Sequence, residues 1–140
     1  MSMTVASKQA RLVEDLGIIE NAQERLAAVV DRARRLPPLG ESERVEANRV
    51  TACVSAVWIV AARGDGGRLR LRSDADSPLV RGLVALLCEV YDGATPEDAA
   101  ATEPDVLEQL GLLRDLTPTR RNGLAGARAR IRELAAGLAG

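Results

Sequence analysis

Two side chains in this 140-residue sequence could serve as thiol nucleophiles, Cys53 and Cys88, and they stand in a chain that has no histidine at all. Without an imidazole, neither a Ser-His nor a Cys-His nucleophile pair can be built. Two cysteines also cannot complete a Cys₄ or Cys₂His₂ zinc site, or supply four thiolates to an iron–sulfur cluster, within one chain. Lys8 is the sole lysine, so an internal lysine to carry pyridoxal phosphate in the core is missing too. What is left is the chemistry of a thiol acting without an imidazole partner.

The two cysteines sit in different contexts. Cys53 lies in "NRVTACVSAVWIV", residues 48–60, among small or short neighbours that leave the sulfur unshielded if the chain bends there. A buried strand cysteine explains the same letters, and the pattern leaves both readings open. Cys88 falls on the apolar stripe of a helix with Val84, Leu87 and Tyr91 at neighbouring turns, which reads as core filling.

The elements that must position these thiols follow from periodicity and caps. Leu12, Leu16 and Ile19 recur at helical spacing after Ser7, which could cap. Asn21 and Glu24 have the form of a capping box for a second helix, Ala22 to Leu36, stopped by Pro37-Pro38. A β-rich segment from Arg49 to Ala62 and the alternating "RLRLR", joined by Gly64-Asp65-Gly66-Gly67, predict a hairpin. Leu69 and Leu71 then face the core and Arg68, Arg70 and Arg72 face water. Trp58, an aromatic in the first strand, reads as core.

Ser77-Pro78 opens a central helix that runs to Gly93, and Thr95-Pro96 and Pro104 open two short ones, the second ending near Gly111. A last helix after Thr117-Pro118 carries the stripe Leu124, Ala127, Ile131, Leu134, Ala135 and Leu138. Strands in the middle with helices on both sequence flanks predict an α+β fold: a small antiparallel sheet covered by helices, in a single domain over 1–140.

Nineteen basic against twenty acidic residues give a formal charge of −1, so no basic field exists to hold a nucleic-acid backbone. Apolar runs such as "AVWIVAA" are far shorter than the roughly 20 residues that cross a bilayer. The segment "MSMTVASKQARLVEDL" lacks the pattern of a secretory signal, and the expectation is a cytoplasmic protein with no membrane or nucleic-acid partner.

Residues 48–60 resemble the Cys-x-Ser-x-Val-Trp signature of the SufE family, sulfur acceptors that work with a cysteine desulfurase in iron–sulfur cluster assembly. "LPPL" (residues 36–39), "SDADSPLVRGLVALL" and "LTPTRRNGL" are similar to further family segments in order and spacing, so the likeness runs from about Asn21 to Leu134. Ala52 and Val54 depart from it, standing where the family has glycine and often glutamine. The resemblance implies a SufE/IscU-like fold with about three strands and the cysteine on a loop at the sheet edge. It further implies that Cys53 accepts sulfur as a persulfide from a SufS-like, pyridoxal-phosphate desulfurase and passes it to a downstream cluster scaffold.

By the same resemblance Asp76 and Arg120 lie near the cysteine loop. Arg120 would favour the thiolate or persulfide anion and Asp76 would orient it or meet the desulfurase. Equally, Arg120, Asn122 and Gly123 could only cap and position the last helix. No cofactor of its own is implied, and the chain would be a monomer or a homodimer. Two other functions compete: an interaction module of the same fold that binds a desulfurase without transferring sulfur, and a peroxide-sensing thiol, which lacks a nearby resolving cysteine.

Overall fold

A computed structural model describes residues 4–139. Six helices and one hairpin follow in the order α1 (Val5–Gly17), α2 (Ala22–Arg34), β1 (Val57–Arg63), β2 (Leu69–Ala75), α3 (Pro78–Tyr91), α4 (Pro96–Ala101), α5 (Val106–Gln109) and α6 (Pro118–Leu138). The α+β class expected from the sequence is the one observed.

Helix starts are set where side-chain oxygens satisfy orphan N–H groups. Asn21 Oδ1 accepts from the N–H groups of Gln23 and Glu24. Ser77, Thr95 and Thr117 cap α3, α4 and α6, each followed by a proline in the first turn. At α1 the cap is Thr4 rather than Ser7: the Ser7 N–H donates to Thr4 Oγ1, and Ser7 Oγ accepts from the Thr4 N–H in return. The serine is thus the N3 member of a capping box, and the helix starts three residues earlier than it would with Ser7 as cap. Helix α2 ends at Arg34, two residues short of the expected Leu36.

The sheet departs from the expected three strands. β1 and β2 pair antiparallel with Val57 opposite Ala75 and Arg63 opposite Leu69, and the third strand is reduced to one bridge, Arg49 to Trp58. The reason is that residues 51–56 leave the extended path. The Val50 N–H donates to the Val57 carbonyl (2.8 Å) and the Cys53 N–H to the Val50 carbonyl (3.2 Å), which closes a tight loop in place of a long strand. At the hairpin, Gly66 and Gly67 take φ of 71° and 73°, a conformation that a side chain disfavours.

Leu69 and Leu71 are buried beneath α3, which packs on β2 and against α1, α2 and α6 as the centre of the core. The outward arginines are paired at the rim: Arg68 with the Gly93 carbonyl, Arg70 with Asp92 and Arg72 with Glu43. Trp58 is half-buried, bridged through its backbone to Arg49, rather than wholly in the core. Gly82 lets α2 cross α3 closely, since a Cβ there would lie 2.9 Å from Val30 Cα.

The loop after α2 is fastened to the sheet by Asp74. Its Oδ2 accepts from the Leu39 N–H (3.1 Å) and its Oδ1 meets Arg81 Nε (3.1 Å), while Arg81 also donates to the Leu36 carbonyl. Arg44 Nε donates to the Leu39 carbonyl and stands 3.7 Å from Asp74. Asp74 is 6% exposed and is the one buried charged residue among those described. No helix of the described residues is long and apolar enough to cross a membrane.

Candidate functional site

Cys53 sits on the 51–56 loop where it lies across α6. Both ends of that loop are tied to the sheet, at Val50 to Val57 and, through the Asp76 N–H to the Ala56 carbonyl (3.1 Å), at the far end. The residues between have few bonds of their own. Cys53 is 9% exposed, and its Sγ–H donates to the Gly123 carbonyl at 3.3 Å. Beside it Val54 is 79% exposed, a branched apolar side chain in water at the loop tip.

Helix α6 accommodates the sulfur because position 123 has no side chain. A Cβ on Gly123 would lie 3.3 Å from Cys53 Sγ, tighter than ordinary packing, and 3.5 Å from Cys53 Cα, in ordinary contact. Val80 and Leu83 of α3 and Thr119 and Arg120 of α6 join Cys53 around a cavity of about 210 Å³. Arg120 is exposed and makes no ion pair among the described residues, so its charge is available to the cavity. Burial nevertheless pushes the Cys53 thiol above its ordinary pKa, and at rest it is protonated at neutral pH.

Of the three residues named from the sequence, the fold brings Cys53 and Arg120 to one cavity. Asp76 lies beside the loop, outside the cavity wall, and touches the loop through its backbone. Two residues before it, Asp74 makes the ion pairs described above; the "SDADSPLVRGL" segment contained both carboxylates and Arg81, but not the difference between them. Cys88 is 5% exposed in α3. Burial pushes its thiol up to about 12, opposed by a hydrogen bond with Ser73, in keeping with core filling.

Ala52, which stands where glycine was expected, keeps negative φ, as does every non-glycine residue among those described. The loop therefore needs no left-handed residue at this position.

Residues 10–135 match the family model "SufE: Fe-S metabolism associated domain". The chain belongs to the SufE family. An uncharacterized SufE-like protein of Synechocystis sp. is 36% identical over 120 residues, covering 86% of this chain and 75% of that one. A second, from Rhizobium etli, is 32% identical over 127 residues and covers 88% and 86%. Chloroplastic quinolinate synthase of Oryza sativa subsp. japonica is 40% identical over 111 residues, 79% of this chain, which spans only 16% of that protein's length. In three dimensions the SufE chain is similar to the solution structure of a hypothetical protein from Thermus thermophilus, with a TM-score of 0.75, 26% identity and coverage of 94% and 95%. SufE membership gives the chain a role in iron–sulfur metabolism and implies a cysteine desulfurase as partner.

Proposed function

We propose that this chain works as one SufE-like domain in the cytoplasm, accepting sulfur on Cys53 from a cysteine desulfurase and passing it to a cluster scaffold. The observation that carries the reading is the juxtaposition, around one cavity, of Cys53 on a loop tied to the sheet at its ends and Arg120 of α6, which makes no ion pair among the described residues. The Cys53 thiolate attacks the outer sulfur of the partner's Cys-S-SH. A new S–S bond forms on Cys53, the donor's S–S bond breaks, and the donor leaves as a thiolate that takes up the proton Cys53 gave away. No net oxidation occurs, and no imidazole is needed.

Attack needs both reach and a thiolate, and burial denies the resting sulfur both. Turning the loop outward frees the thiol from the Gly123 carbonyl, and Arg120 then offers a fixed positive charge to the anion. Exposed Val54 is suited to bury itself against the desulfurase as the loop engages.

Incubation with a desulfurase and cysteine, followed by intact-mass measurement, is expected to add one sulfur to the wild type and to Cys88→Ser but none to Cys53→Ser. Equal stimulation of desulfurase turnover by wild type and Cys53→Ser would end the proposal. The burial of Cys53 favours one competitor, an interaction module that binds without transfer. Desulfurase binding with no added mass on the wild type would select it.

A further inference from the structure

We propose that Gly126 is a positioning residue for Cys53: its missing side chain makes the notch in α6 that receives Ala52 and thereby holds the next residue, Cys53, turned inward. This rests on Cys53 being the sulfur acceptor.

Gly126 lies near the middle of a 21-residue helix, where glycine is disfavoured relative to alanine. Conformation does not account for it, since it is not among the glycines with positive φ. Space does. A Cβ built at Gly126 would stand 2.2 Å from Ala52 Cβ and 3.6 Å from Ala52 Cα. Two carbons in contact need about 3.5 Å, so the loop would have to withdraw by about 1.3 Å.

Gly123 and Gly126 are three residues apart and so lie on one face of α6. The first receives the Cys53 side chain and the second the Ala52 methyl, so the loop is seated on the helix at two successive residues. Neither end can follow a retreat, because Val50 is bonded to Val57 and Ala56 to Asp76. The displacement must therefore fall on the residues between, Cys53 among them. The alanine at 52 and the glycine at 126 form a matched pair, with one methyl group shared between two positions that have room for one.

The test is site-resolved alkylation of the full chain by iodoacetamide, with Cys88 as internal control; it requires no sulfur transfer and so can fail independently of the acceptor role. Gly126→Ala is expected to raise the Cys53 rate about tenfold for each pKa unit by which the thiol returns to its ordinary value. Cys88 should be unchanged, and Ala52→Gly in the same chain should return Cys53 to the wild-type rate. A folded Gly126→Ala protein with an unchanged Cys53 rate overturns the proposal. So does a rise shared equally by Cys88, or one that Ala52→Gly fails to reverse. If Gly126→Ala alone does not fold, a folded Ala52→Gly/Gly126→Ala protein with slow Cys53 supports the pairing, and an unfolded one overturns it.

Discussion

Replacing Asp74 by alanine separates two carboxylates that lie two residues apart in the chain. Asp74 is buried, and its removal strands the Leu39 N–H and takes from Arg81 the one carboxylate it pairs with among the described residues, with Arg44 losing a longer contact. Removing one partner of a buried ion pair costs about 3–5 kcal/mol. The Arg81 side chain is 18% exposed and keeps its bond to the Leu36 carbonyl, which places the cost at the lower end, about 3 kcal/mol. With an m-value of about 2 kcal/mol per molar urea, the unfolding midpoint should fall by about 1.5 M. Asp76→Ala keeps the backbone bond to Ala56 and should stay within about 0.5 kcal/mol of wild type. Urea unfolding followed by far-UV circular dichroism measures both. A loss below about 1 kcal/mol for Asp74→Ala, or equal losses for the two variants, would refute the assignment of Asp74 as the fastening of the 36–44 loop.

Three further outcomes are expected. Both thiols are held above their ordinary pKa, so the folded chain keeps protons that the unfolded chain releases; stability is intact below about pH 9 and falls above it. For Cys88 alone the fall between about pH 9 and 10 is about 1 kcal/mol, and urea titrations at the two pH values should lose that component in Cys88→Ala. Tyr91, pushed up to about 12 mainly by burial, adds to the fall only above about pH 10. Gly82→Ala drives a methyl group into the Val30 backbone and should cost about 1–3 kcal/mol, read as a lowered melting temperature by calorimetry. Thr117→Ala removes the oxygen that accepts the Arg120 N–H and should cost about 1 kcal/mol in the same measurement.

The helices were legible because their starts are local events. Asn21, Ser77-Pro78, Thr95-Pro96 and Thr117-Pro118 act on N–H groups within three residues, so the sequence contains the whole interaction. The third strand was not legible. Thr51, Val54 and Val57 are β-branched and read as strand, and the bend between them depends on α6, some 70 residues away, offering glycines at 123 and 126.

The site divides in the same way. Cys53, Arg120 and Asp76 could be named from the family resemblance, and the fold brings the first two of them to one cavity. Asp74 could not, because alternation from Leu69 and Leu71 puts it on the outer face of β2, the side a reader assigns to water. The loop that covers it comes from residues 36–44, and nothing in β2 announces that cover.

The bond from Cys53 to Gly123 has one more consequence. A carbonyl oxygen can accept a proton but has none to give, and a thiolate likewise only accepts. Ionised in place, the sulfur would face that oxygen at 3.3 Å with no hydrogen between them, two electron-rich atoms in mutual repulsion. The resting seat thus tolerates the inert form of the sulfur and rejects the reactive one. In the proposed transfer, losing the proton and leaving the helix are two sides of a single event, and a partner that captures the anion draws Cys53 and its neighbours out between the two anchored ends of the loop.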